Sequence, residues 1–156
     1  MEKQSVTYPV PVTVNYGLPV EIAVYVGRYH QFRCEVNSRN CKTKRRGTVK
    51  VVVELIPLDR VISDKEARQE LDMLGFRPAE LREMLALGKK YDEIERKYPD
   101  IKREHPVVAL DSVWNKNRFG GCYVPCIIRL ESRWVLYRRL IGNDYGEKTL
   151  FAAVRK

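Results

Sequence analysis

The side chains best suited to catalysis or metal binding are four cysteines and two histidines: Cys34, Cys41, Cys122, Cys126, His30 and His105. Structural zinc sites usually have about two to four residues between paired thiolates at both ends, and these cysteines do not follow that pattern, because six residues separate Cys34 from Cys41. On a strand, Cys122 and Cys126 would share a face but stand about 13 Å apart, too far to bind one ion. We therefore expect free thiols, no metal and no cofactor.

No catalytic arrangement is apparent in the sequence. A cysteine nucleophile needs a nearby histidine or helix N-terminus to lower its pKa, and neither stands near Cys122 or Cys126. Phosphate-binding glycine loops are also missing from the sequence. Carboxylates at 64–72 fall on the polar side of a predicted helix, where solvation explains them. We expect the chain not to be an enzyme.

Composition limits the class of protein. The 156 residues are 44% hydrophobic and 31% charged, which is typical of one globular domain covering residues 1–156. Its apolar runs are too short to span a bilayer, and no signal peptide is visible, so cytoplasmic synthesis is expected while surface display stays open. The net charge of +9 permits binding to nucleic acid, anionic lipid or acidic protein. The densest basic run, at 42–46, has no interleaved aromatic residue and indicates a solvated loop.

The C-terminal third resembles an antibody-like binding surface. Residues 118–146 contain no Lys, Gln or Met. They combine aromatic residues, which offer rigid contact area, with arginines, glycines and asparagine. On a strand over 133–139, Trp134, Leu136 and Arg138 share one face, while the other face has Arg133, Val135, Tyr137 and Arg139. One face could equally be core and the other ordinary surface.

Alternation and capping patterns predict the elements that would position this segment. Strands are expected near 12–16, over 47–56, in 107–114, 126–130, 133–139 and 149–154, while 18–27 fits a strand or a short helix. Ser63 and Glu66 form a capping box, so a helix begins there and ends at Gly75. Pro78 is expected in the first turn of a second helix. The fold class is therefore α+β, an antiparallel sheet with two or more packed helices.

A short internal repeat follows the second helix. Residues 90–96 are echoed by 97–103, which places Tyr91, Ile94, Tyr98 and Ile101 on one helical stripe. Pro99 is expected to divide the helix, and the stripe to pack against the core.

An ordered series of short segments carries a family resemblance. It includes Leu74–Ala79, Leu85–Gly88, Lys97–Pro99, Ser112–Trp114, Val124–Pro125 and Phe151–Lys156. From about Gly27 to the end, the chain resembles the variable proteins of diversity-generating retroelements, of the type found in archaea and uncultivated microbes. The duplicated stretch at 90–103 departs from that pattern.

This resemblance implies a C-type-lectin-like fold in which residues 1–114 are scaffold and about 115–149 are a variable region. In that family, adenine-directed mutagenesis by a reverse transcriptase rewrites the region, and asparagine-type codons cannot reach Lys, Gln or Met. The hypervariable side chains that we expect to project to solvent and bind ligand are Arg118, Phe119, Cys122, Tyr123, Cys126, Ile128, Leu130, Trp134, Leu136, Arg138, Asn143 and Tyr145.

The predicted function is thus non-catalytic ligand binding, with a protein or cell-surface ligand as the expected partner. The main alternative is a basic nucleic-acid-binding module, whose affinity would fall steeply with salt. A third is an enzyme of the formylglycine-generating type, which shares the lectin-like scaffold and would need a cysteine of low pKa at 122 or 126.

Overall fold

A computed structural model describes residues 6–32, 34, 36–101, 104–115, 121–131 and 133–156. The α+β class is confirmed, with helices packed on a sheet. The nine strands are β1 (Tyr8–Asn15), β2 (Tyr29–Phe32), β3 (Thr48–Pro57), β4 (Phe76–Pro78), β5 (Val107–Val108), β6 (Trp114–Asn115), β7 (Cys122–Leu130), β8 (Arg133–Leu140) and β9 (Leu150–Arg155). The helices are α1 (Val20–Val26), α2 (Asp64–Met73), α3 (Leu81–Leu85) and α4 (Tyr91–Lys97), with a 3₁₀ turn at Ala86–Lys90.

In the described part of the chain, all nine strands belong to one sheet. Its main order is β1-β3-β9-β5-β7-β8-β2, with β4 beside the end of β9 and β6 beside the start of β7. Most neighbouring strands are antiparallel, but β2 runs parallel to β8 and β5 runs parallel to β9. The sheet is therefore mixed, which corrects the expectation of a purely antiparallel one.

Hydrophobic residues bury against both faces of the sheet. On one face, Val53, Leu136 and Ala152 belong to the larger core, which α1, α3 and α4 help to cover. On the other face, Val124 and Phe151 pack with Ala67 and Leu71 of α2 in a smaller core. The strands near the middle are thus buried on both sides, whereas the outer strands keep part of one face open.

Local signals position several elements as expected. Ser63 caps α2 by accepting a hydrogen bond from the Glu66 N–H at 3.2 Å, and Gly75 follows the helix at φ +87°. The ambiguous segment after Pro19 is helical, as α1. In the repeat, Ile94 is buried and Tyr98 packs against the larger core, so the predicted stripe is confirmed as packing surface.

Two expectations for local structure are wrong. Pro78 belongs to β4, where it pairs with Ala153, and the next helix begins only at Leu81. The apolar run at 107–114 is divided into two-residue strands β5 and β6 by a turn at Leu110–Asp111. Tertiary pairing with β7 and β9 overrides the continuous strand that hydrophobicity indicated.

None of the helices in the described part of the chain is long and apolar enough to cross a bilayer.

Candidate functional site

The β7–β8 hairpin carries most of the residues predicted to bind ligand. Its register pairs Ile128 with Val135 and Ile127 with Leu136, so each pair of facing residues shares one side of the sheet. β2 extends the hairpin by one strand and places His30 beside Val135 and Phe32 beside Tyr137. Three adjacent strands therefore decide which side chains are available to a ligand.

One face of the hairpin is core. Leu136 is 0% exposed and belongs to the larger core together with Ile127. Trp134 is also buried, with its ring 6.2 Å from that of Tyr29 and 5.3 Å from that of Tyr91. The expectation that Trp134 and Leu136 project to solvent is wrong, because this face lies against α4 and the 3₁₀ turn that precedes it.

Two further predicted residues are buried on the opposite side. Cys126 packs in the smaller core, and burial raises the pKa of its thiol to about 12. Tyr145 is 0% exposed, donates a hydrogen bond to Asp64 Oδ1 at 2.9 Å and packs edge-on against Phe151. The expected exposure of Cys126 and Tyr145 is wrong as well, since the segment after β8 folds over this end of the sheet.

The remaining predicted residues stay accessible in part, but they divide between the two ends of the hairpin. Ile128 and Leu130 lie near the turn that joins β7 to β8, and Leu130 is 54% exposed. Cys122 and Tyr123 lie at the other end, where the Arg138 guanidinium stacks 4.6 Å from the centre of the Tyr123 ring.

Asn143 is exposed in the segment after β8. Arg118 and Phe119 fall outside the described residues.

We define the hairpin face as the uncovered side of the three strands near the turn, formed by His30, Phe32, Ile128, Leu130, Arg133, Val135 and Tyr137. Phe32 is 56% exposed, Leu130 and Arg133 are exposed, and Ile128, Val135 and Tyr137 are half-buried. Large apolar side chains standing in a row on a rigid sheet are typical of an interaction surface. Sequence reasoning missed the residues of β2, because their pairing with β8 is not encoded locally.

An open depression continues from the hairpin face around the edge of β2. It has a volume of about 730 Å³ and is lined by Tyr25, Arg28, His30 and Arg133, among others. Tyr25 is 81% exposed, and Arg28 adopts a positive φ of 57° at the turn that enters β2. The depression thus combines an exposed aromatic ring with two arginines, the residue types that most often anchor ligands at interfaces.

The cysteines do not form a metal centre in this arrangement. All four are free thiols, and the described residues hold no group of three or more His, Cys, Asp or Glu side chains that could bind an ion. Burial raises the pKa of Cys41 to about 12, as it does that of Cys126. Thiols with pKa values this high are protonated at neutral pH, and that is the opposite of what an activated nucleophile requires.

No protein-family model, curated protein or solved structure matches this chain, so its function has to be inferred from the arrangement of its own side chains.

Proposed function

We propose that this protein is a non-catalytic binder whose ligand contacts the hairpin face, on a C-type-lectin-like scaffold diversified by a retroelement. The observation that supports this most is the position of the hairpin face. It lies largely within residues 118–146, the segment from which Lys, Gln and Met are missing. The segment of unusual composition and the hairpin face therefore lie largely in the same part of the chain.

The hairpin face has the chemistry of a binding surface. Phe32 and Leu130 offer apolar area that water leaves readily, while Arg133 and Tyr137 offer hydrogen-bonding groups and planar surface for orientation. The opposite side of the same strands is packed into the larger core, which holds the backbone in place. Such a backbone can accept many side chains on its open side without losing its fold.

A diversified binder makes a sharp prediction about sequence variation at this locus. Substitutions in sibling copies should fall on the codons of Ile128, Leu130, Arg133, Val135 and Tyr137, where a neighbouring template repeat has adenine. The codons of Leu136 and Trp134 should be spared, because changing them would open cavities in the core. Deep sequencing of the locus and its genomic neighbourhood in the source population measures this directly.

Matched positions within one strand supply the control for that experiment. Val135 and Leu136 are adjacent codons on opposite faces, so mutation reaches both equally, selection for the core spares Leu136 in either case, and only diversification confines the changes at Val135 to template adenines. Equal variation at the two positions, or a neighbourhood without any template repeat, would contradict the proposal.

A nucleic-acid-binding module is the second candidate, and the depression beside β2 is the observation that favours it. Tyr25 lies there with Arg28 and Arg133, and an exposed ring flanked by guanidinium groups can stack on a base while the cations contact phosphate. Binding of single-stranded DNA that weakens steeply between 50 and 200 mM salt would favour this candidate. Loss of that binding in Tyr25→Ala would assign it to the depression.

A further inference from the structure

The other half of the sheet contains a groove that the hairpin face does not reach. β3 pairs with β1 along Thr48–Leu55, but with β9 only along Glu54–Pro57. The two strands then diverge, while the end of β9 pairs with β4 along its other edge. An open groove of about 790 Å³ lies where they separate.

The groove follows the edge of β3 rather than one of its faces. Val49 and Val51 point to the side of the larger core, Lys50 and Val52 point to the opposite side, and all four line the groove. In the described part of the chain, no strand pairs with this edge of Thr48–Val53. The edge therefore presents main-chain N–H and C=O groups to the groove, which is the usual template for an added strand.

The side chains around this edge are in part apolar and in part cationic. Val49 and Val52 are 43% and 45% exposed, and Val154 lines the opposite wall. Five cationic side chains line the groove (Arg45, Arg46, Lys50, Arg77 and Arg155) against one carboxylate, that of Glu54. Such a lining favours an occupant that is negatively charged and partly apolar.

Existing ion pairs leave much of this positive charge available. Arg45 and Arg77 are held by Glu80 and Glu83 at 2.6 Å each. Arg46 and Lys50 are exposed, and the Arg155 side chain is 73% exposed although its Nε lies 3.3 Å from Glu54 Oε2. These three cations mark the rim on both walls of the groove.

We propose that this groove binds an acidic peptide segment of a partner protein, in extended conformation, as an additional strand on β3. Main-chain hydrogen bonds to the free edge would supply affinity. Alternate side chains would lie over Val49, Val51 and Val154 on one side and near Lys50 and Arg155 on the other. A second copy of this chain fits poorly as the occupant, because the chain itself carries a net charge of +9.

The groove and the hairpin face are separate sites. Four strand-to-strand steps lie between β3 and β8, which amounts to roughly 19 Å across the sheet. The groove also lies outside the segment of unusual composition, so partner binding there does not depend on the function proposed for the hairpin.

The test uses the full chain and a fluorescein-labelled decapeptide in which Asp or Glu alternates with Val. Two analogues carry N-methyl groups on alternate amides, one set on the odd residues and one on the even residues, and a third replaces every acid by Lys. The protein variant R46E/K50E reverses two rim charges, and K65E/K89E, at two exposed lysines outside the groove, is the matched control. Fluorescence anisotropy measures binding, and hydrogen exchange follows the amides of Thr48–Val53.

We expect the parent peptide to bind and to slow exchange in β3. At least one N-methyl analogue should lose about tenfold or more in affinity, since it cannot donate to the β3 edge. R46E/K50E should weaken binding roughly tenfold, with K65E/K89E near wild type. Failure of the parent peptide to bind, equal binding of both N-methyl analogues and the parent, or preference for the Lys analogue would overturn the proposal. The proposal would also be overturned if the groove bound single-stranded DNA in place of the peptide, with that DNA binding weakened by R46E/K50E.

Discussion

Leu130 and Leu136 are the same residue type on two paired strands, but they have opposite environments. Leu136 has no exposed surface and contacts the larger core, whereas Leu130 is 54% exposed beside the turn of the hairpin. Side chains of a strand alternate between the faces of the sheet, so a difference of one position decides whether a residue stabilises the fold or is available to a ligand. The two leucines therefore separate folding from binding at the level of single residues.

Replacing each leucine by alanine should give very different stabilities. Leu136→Ala leaves a cavity in a packed core and should cost about 2–5 kcal/mol in the free energy of unfolding. Leu130→Ala should cost less than about 1 kcal/mol, because its side chain is already largely hydrated. Urea denaturation followed by tryptophan fluorescence measures both, and similar losses for the two variants would show that the faces have been assigned wrongly.

At the scale of elements, a buried carboxylate joins α3 to β4, the strand that precedes it, and to the end of β1, which is distant in sequence. Glu83 of α3 is fully buried and receives two hydrogen bonds from Arg77 of β4, at 2.9 and 2.6 Å. The Tyr16 hydroxyl, just after β1, donates to the same carboxylate at 2.7 Å. Each partner comes from a different element, so the charge of Glu83 fixes how the helix and both strands meet.

This network should make stability depend on pH in the acid range. Burial raises the pKa of Glu83, but the hydrogen bonds from Arg77, the Glu80 N–H and Tyr16 outweigh it and leave the pKa below the usual 4.5. The carboxylate therefore stabilises the fold above pH 4.5, and this contribution is lost as the pH falls through the lowered pKa. Glu83→Gln should cost about 3–5 kcal/mol near pH 7 and progressively less in acid.

Unfolding of the wild type and Glu83→Gln between pH 2 and 7 measures that difference. Glu147→Gln removes an exposed carboxylate and is the control, with little expected effect at any pH. A cost for Glu83→Gln that stays constant down to pH 2 would mean that the carboxylate does not act through its charge.

At the scale of the whole molecule, β9 connects the two halves of the sheet. It lies between β3 and β5 and also pairs with β4, and its residues Leu150–Ala153 are buried. The β1–β3 half, with the groove, and the β7–β8–β2 half, with the hairpin face, meet through this strand and β5. The two proposed binding surfaces are thus held in one sheet by a strand whose buried residues Leu150–Ala153 lie between them, while its last two residues line the groove.

A chain ending at Thr149 should therefore fail to fold. Loss of β9 removes strand pairing on both of its edges and four buried side chains. The stabilising free energy lost exceeds the roughly 5–15 kcal/mol by which a typical domain is stable against unfolding. Circular dichroism during thermal unfolding should show no cooperative transition. Removing Lys156 alone, whose exposed side chain contacts Asp72, is the control and should leave the transition nearly unchanged.

The sequence by itself determined the elements whose signals are local. Ser63 and Gly75 delimit α2 because a cap and a left-handed residue act within a few positions of the helix ends. The alternation at Thr48–Pro57 indicated β3, and the repeat around Ile94 indicated a packing stripe, since both patterns follow from the periodicity of one element. For the same reason, alternation alone divided the side chains of β8 correctly between its two faces.

Only the tertiary structure decided which of those faces is buried. Alternation separates Trp134 and Leu136 from Val135 and Tyr137 but does not say which pair meets the core, because that depends on α4 and on strands far away in the chain. The hydrogen bond from Tyr16 to Glu83, the contribution of β2 to the hairpin face and the groove beside β3 arise in the same way. Each depends on contacts between segments separated by many residues, and no local pattern of side chains encodes them.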